Sequence, residues 1–299
     1  SSNRAAIRLL QQIGIPSVVT LADSLGLEKQ PAVPSLALGS GSVTLASLTA
    51  AYASFANGGI LRQPTLIRRV DDDNGHVLFE SKDQPVQVLS DTTAFLMSDM
   101  LTDVINAGTA SKARAMGFTL PAAGKTGTTN SFNDAWFIGF TPKLVVGVWV
   151  GYDAPHTIGR NAFAATVAVP LWTRFMMEAT RGDSPQWLTP PAGVVPVAIC
   201  PISGKLATER CEKPVRRYFA AGTTPIEYCD VHRPSFFQRV LGLSADRAPQ
   251  QPPSTAVEDA QTPAAPPAAD PSGPVAAAPS TPVQKPPAKK RGFWGRIFH

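Results

Sequence analysis

The spacing of apolar positions divides the chain into helical stretches, a cluster of short strands, and a last part without a period. Ala6, Leu9, Leu10 and Ile13 recur at three- and four-residue intervals, which predicts a helix over residues 1–15 with Ser1 or Ser2 as cap and Gly14 as stop. A short helix is expected over residues 20–26. Thr44 then caps a helix over residues 45–57, which Gly58-Gly59 ends. Two strand-like runs, 66–70 and 76–80, flank Asn74-Gly75, a strong hairpin signal. Residues 92–106 place Phe95, Leu96, Met100, Leu101 and Val104 on one helical face, and Gly108 follows. Three short strands are expected over residues 125–129, 135–140 and 144–149, and a further helix over 168–178. Strands gathered after Lys125, with helices before and behind them, predict an α+β fold: a central antiparallel sheet covered by helices.

Composition adds an organisation to this pattern. Of 299 residues, 29 are proline, about twice the usual share of roughly 5%. The excess collects from Pro249 onwards. Residues 1–190 therefore read as the folded domain, residues 191–243 as a proline-rich, cysteine-containing extension, and residues 244–299 as a disordered Pro/Ala-rich tail. The formal charge is only +5, and Lys285, Lys289, Lys290, Arg291 and Arg296 of the tail supply much of it, so no nucleic-acid partner is implied. No apolar run approaches the roughly 20 residues of a membrane helix. The opening Ser1-Ser2-Asn3-Arg4 has no initiating methionine and is read as part of a longer polypeptide. The basic aromatic end around Phe293, Trp294, Ile297 and Phe298 suits an anionic membrane surface or a partner's groove, or serves only as a solubilising tail.

The chemistry concentrates in Gly124-Lys125-Thr126-Gly127-Thr128-Thr129-Asn130 and the block Asp134-Ala135-Trp136-Phe137-Ile138-Gly139-Phe140. Acyl transfer needs a nucleophile, a base, an oxyanion hole and a grip on substrate. Lys125 on a strand supplies a fixed positive charge that lowers a neighbour's pKa and attracts an anion. The hydroxyls of Thr126, Thr128 and Thr129 suit a substrate carboxylate. Gly127 lets backbone approach closely, so that the Thr128 N–H can reach an oxyanion. An edge strand of this kind also accepts an extended peptide. Asp134 and Trp136 read as a turn carboxylate and a core aromatic, and Asn57-Gly58-Gly59 as a helix terminus.

Further blocks stand in order around these: Ser1-Ser2-Asn3, Leu36-Ala37-Leu38-Gly39, Ala51-Tyr52-Ala53-Ser54-Phe55-Ala56-Asn57-Gly58-Gly59, Gly108-Thr109-Ala110 and Val146-Gly147-Val148-Trp149-Val150-Gly151. As a set they resemble the C-terminal part of the transpeptidase domain of class A penicillin-binding proteins, from Ser1 to about His232. The resemblance implies the penicillin-binding transpeptidase or β-lactamase-like fold, truncated at its N-terminal side. It makes Ser1 and Asn3 the second family motif, Ser1 relaying a proton and Asn3 binding the substrate's amide backbone. Lys125, Thr126, Gly127 and Thr128 become the third motif. The first motif, Ser-x-x-Lys, is missing: no lysine has a serine three residues before it, and Thr109-Ala110-Ser111-Lys112 comes nearest. It is expected upstream of Ser1, so the chain alone is expected to be inactive.

The implied reaction of the parent is serine-type transpeptidation of D-Ala-D-Ala stem peptides of peptidoglycan, with β-lactams acylating the same serine. A membrane anchor and a glycosyltransferase domain are implied upstream, at the periplasmic face of the bacterial inner membrane. No metal or organic cofactor is needed for this chemistry. The rival readings are a DD-carboxypeptidase or β-lactamase-type hydrolase and a non-catalytic wall-binding scaffold. Cys200, Cys211 and Cys229 lie in a segment closed by His232. In an exported protein one disulfide plus a third thiol is the favoured reading. A zinc site of three cysteines and a histidine is the alternative, set against the ten residues between the first two cysteines.

Overall fold

Helices form where caps and apolar spacing coincide. The chain, seen in a computed structural model, is described over residues 2–82 and 84–232. Ser1, Asp83 and residues 233–299, and with them the expected tail, lie outside the described residues. Helix α1 spans Asn3–Ile13: the Ser2 hydroxyl accepts from the Ala5 N–H at 3.4 Å, and Gly14 ends the helix at φ 84°. Helix α2, Ile15–Ser24, starts at once rather than at residue 20, because Pro16 in its first turn lacks only an N–H that would have no helical partner. A 3₁₀ turn over Pro34–Leu38 leads to α3, Leu45–Ala56, capped by the Thr44 hydroxyl, which accepts from the Ser47 N–H at 3.1 Å.

Two small ribbons follow. Strand β1 (Ile60–Leu61) pairs with β4 (Val86–Gln87), and β2 (Arg69–Asp71) pairs with β3 (Val77–Glu80) around the turn at Gly75. Helix α4 covers Asp91–Asn106 and the short α5 Lys112–Ala115. Strands β5 (Ala123–Thr128), β6 (Ala135–Phe140) and β7 (Val145–Val150) form one antiparallel sheet in that order. Helix α6 (Ala168–Ala179) and the ribbon of β8 (Val194–Ile199) and β9 (Val215–Ala220) complete the described residues. The architecture is α+β with antiparallel pairing in every sheet.

The middle strand β6 is buried on both faces, and its alternation sorts the helices into two layers. Phe137 meets α6, its ring edge-on to Trp172 at 5.1 Å, and joins Ile105, Phe118, Ala135, Val169 and Met176 in the main core. On the other face Phe140 and Ala123 pack with Ala56 of α3. Two glycines are demanded by this packing. A Cβ on Gly139 would lie 2.8 Å from Trp172, and one on Gly147 would lie 2.1 Å from the Thr49 hydroxyl of α3. Burying Trp172 completely also satisfies its indole N–H, which donates to the Gly139 carbonyl at 3.2 Å.

Strands β8 and β9 lie where the sequence shows no period. Pro196 interrupts the apolar run of β8 and Arg216-Arg217 that of β9, so neither reads as alternating. The ribbon docks on α4: Tyr218 sits edge-on to Phe95 at 5.1 Å, and Arg217 pairs with Asp103 at 2.7 Å. No single described helix is long and apolar enough to cross a membrane.

Candidate active-site strand and a cysteine–histidine cluster

Strand β5 carries the candidate site, and among the described residues its outer edge has no strand partner. The register with β6 sets Lys125 opposite Ile138, Thr126 opposite Phe137, Gly127 opposite Trp136 and Thr128 opposite Ala135. Opposed residues share a face. Lys125 and Gly127 therefore lie on the α3 side, and Thr126 and Thr128 on the α6 side, with the open backbone edge between them.

Lys125 is half-buried, and its ammonium donates to the Thr126 carbonyl at 2.7 Å. Burial disfavours the charged form and pulls its pKa below the ordinary lysine value. The two glycines of the motif differ in kind. A Cβ on Gly124 would lie 2.7 Å from the Ile138 carbonyl oxygen, so packing forbids a side chain there. A Cβ on Gly127 would meet nothing nearer than 3.4 Å, and its backbone is not left-handed. The fold leaves room for a side chain at Gly127.

Thr126 is fixed from the loop after α4. Its hydroxyl lies 2.6 Å from that of Thr109, a contact between residues too far apart in sequence for the chain order to announce. The loop explains why Thr109 is presented so. Gly108 lies where a Cβ would stand 2.8 Å from the Val104 Cα, and Ala110 is wholly buried in the core. Arg114 braces the same loop, donating to Asn106 Oδ1 and to the carbonyls of Phe118 and Leu120.

Thr128 is exposed, and its hydroxyl oxygen accepts from the Ala164 N–H at 3.0 Å. Thr129 belongs to the turn instead. Its hydroxyl donates to Asp134 Oδ2 at 3.0 Å and accepts from the Asp134 N–H at 2.8 Å, while Trp149 Nε1 donates to Asp134 Oδ1. Asp134 is thus the carboxylate that closes this turn, and its neighbour Trp136 stacks obliquely on Trp149. Beyond it Ser131 and Phe132 adopt left-handed backbone, at φ 58° and 56°, unusual for a phenylalanine. The segment 157–163 holds them: Ile158 N–H donates to the Phe132 carbonyl, and Phe163 packs edge-on against Phe132 at 4.7 Å. Of the second predicted pair, Ser1 lies outside the described residues, and Asn3 is the exposed first residue of α1. The Asn57-Gly58-Gly59 block is a helix terminus, its amide exchanging hydrogen bonds with the backbone of Ile60.

Away from this strand, the favoured disulfide does not form: Cys200, Cys211 and Cys229 are all free. Their sulfurs converge on one atom, His232 Nδ1, at 3.5, 3.5 and 3.3 Å, and the four atoms lie within 4.8 Å of one another.

Two family models match this chain: the penicillin-binding protein transpeptidase domain over residues 17–173, and the penicillin-binding protein 1A C-terminal domain over residues 190–234. Penicillin-binding protein 1A of Aquifex aeolicus is 39% identical over 81% of this chain and 32% of its own length. The 1A protein of Pseudomonas aeruginosa is 32% identical over 69% of this chain and 31% of its own. The chain thus spans about a third of the length of these relatives. Among solved structures, penicillin-binding protein 1A from Haemophilus influenzae superposes with a TM-score of 0.70 at 28% identity, covering 76% of this chain and 40% of that one. The fold is that of the penicillin-binding transpeptidases, and the chain belongs to the penicillin-binding protein transpeptidase family.

Proposed function

We propose that strand β5 is one wall of a serine acyl-transfer site, and that the parent protein cross-links peptidoglycan as a DD-transpeptidase. The observation that carries this is the contrast between Gly124 and Gly127 beside a half-buried lysine. Packing accounts for the first glycine and not for the second. Room kept at Gly127, on an open strand edge, suits an extended acyl-D-Ala-D-Ala peptide or a β-lactam laid alongside β5.

In this reading Lys125 holds its charge close to the reacting hydroxyl and favours the anionic states that form there. The Thr128 backbone N–H donates to the oxyanion. The Thr128 hydroxyl, whose oxygen Ala164 already occupies, keeps its hydrogen for the substrate carboxylate. Thr126 is the more tightly tied of the two, through Thr109. Thr129 acts from behind by fixing the turn through Asp134. Ser1 and Asn3 serve the leaving group and the substrate backbone. The nucleophilic serine comes from parent sequence outside these residues, since no Ser-x-x-Lys occurs among them. This chain by itself is therefore inactive in acyl transfer, and membrane anchorage, a glycosyltransferase and periplasmic exposure are properties of the parent.

The test is product analysis with the full-length parent, a pentapeptide stem substrate and an amine acceptor. Release of D-alanine with a new amide to the acceptor supports the proposal. Release of D-alanine with a free acid alone marks a carboxypeptidase, and no release at all marks a scaffold.

A further inference from the structure

We propose that Cys200, Cys211, Cys229 and His232 bind one structural Zn²⁺ that holds the segment after α6 together. Hydrogen bonding cannot explain the arrangement. One imidazole nitrogen carries at most one N–H or one lone pair. Yet three sulfurs surround the same Nδ1, at 3.5, 3.5 and 3.3 Å. A shared central ion explains it directly. With Zn–S bonds of about 2.3 Å and a Zn–N bond of about 2.0 Å, tetrahedral angles separate sulfur from nitrogen by about 3.5 Å. A disulfide would instead bring two sulfurs to about 2.05 Å and leave the third and the histidine without a role.

The four ligands arrive from three turns that the backbone fixes independently of them. Cys200 follows the end of β8, and its carbonyl accepts from the Gly204 N–H at 2.8 Å. The Cys211 N–H donates to the Thr208 carbonyl at 3.0 Å, while the Thr208 N–H lies 3.4 Å from Cys211 Sγ, the kind of donor a thiolate ligand takes. The Cys229 N–H donates to the Leu206 carbonyl at 2.8 Å, and His232 follows three residues later. Lys205 ties the same turns from outside, bridging Glu227 and Asp230 at 2.8 Å each.

The segment also needs such a clamp. Its buried cluster consists of the three cysteines and Ala207, while Ile202, Ile226, Tyr228 and Val231 are exposed. A two-stranded ribbon with so small an apolar core is marginal in water unless something else closes it. Three thiolates and an imidazole select Zn²⁺ among common divalent ions, and four protein ligands leave no open position, so the ion is structural.

The experiment uses the untagged full chain, purified without chelator from zinc-containing medium. Plasma mass spectrometry should find one zinc per chain, and the thiols should resist alkylation until a chelator is added. Cobalt exchanged into the wild-type chain should give the strong visible bands of a tetrahedral thiolate site. Cys211→Ser and His232→Ala should lower bound zinc at least about tenfold. The cobalt spectrum decides the matter even if both variants fail to fold. Metal-free protein with three reactive thiols, an intact mass two hydrogens lighter, or stoichiometric binding of a metal other than zinc would each overturn the proposal.

Discussion

Strand β5 and the β8–β9 ribbon are held by opposite means. Behind β5 stand Phe137, Trp172, Ile105 and Met176, all fully buried, and the strand can expose a lysine and an open edge because its seat is already paid for. Apart from its docking on α4, the ribbon segment has a buried cluster of little but sulfur and one alanine methyl. A large apolar core lets a polar site stay open and available to substrate. A small satellite has to close its polar groups on each other, and they then serve structure. The two regions meet through α4, which takes Arg217 and Tyr218 of β9 on its side and sends Thr109 from its end to Thr126 of β5.

The heaviest blow to the comparison falls on the core. Trp172→Ala removes a wholly buried indole and its bond to Gly139, and should cost about 3–5 kcal/mol in denaturant unfolding. If the loss is under about 1 kcal/mol, the seat of β5 lies elsewhere.

The two glycines give the next contrast. Gly124→Ala forces a methyl to 2.7 Å from a β6 carbonyl and should cost about 1–3 kcal/mol by thermal melting. Gly127→Ala should change stability by less than about 0.5 kcal/mol while slowing β-lactam acylation of the parent. Equal destabilisation by both would end the argument that Gly127 is kept for a ligand.

Chelation addresses the ribbon alone. Removing metal should speed amide exchange in β8 and β9 by about tenfold or more, about 1.4 kcal/mol of local stability, and leave β6 unchanged. Exchange rising equally in both regions would mean one cooperative unit rather than two.

The smallest effect concerns Lys125 and pH. Its folded pKa lies below the unfolded value near 10.5, so the unfolded chain binds more protons between the two and stability rises with pH in that window. Lys125→Met has no such dependence on pH. Melting curves should therefore show wild type gaining on the variant as pH climbs towards 10.5. A gap that does not move with pH would mean that burial does not perturb this lysine.

Much of this was legible in order along the chain. Caps at Ser2 and Thr44 marked α1 and α3, apolar spacing marked α4, and the Lys-Thr-Gly run marked β5. What stayed hidden depends on contacts between distant residues. Nothing local shows that Thr109 reaches Thr126, or that Thr129 turns to Asp134 rather than outward. The β8–β9 ribbon escaped because Pro196 and two arginines erase its alternation. Cysteines with 10 and 17 residues between them favour a disulfide over a common centre until the turns at Thr208 and Leu206 fold them onto His232.

The most direct test of the functional account is the rate at which a fluorescent penicillin acylates the full-length parent and its Lys125→Ala variant. Labelling of the wild type, slowed by about 10²–10³-fold in the variant while its melting temperature holds, is the predicted result. A parent that takes no label, or a variant labelled at the wild-type rate, would contradict it.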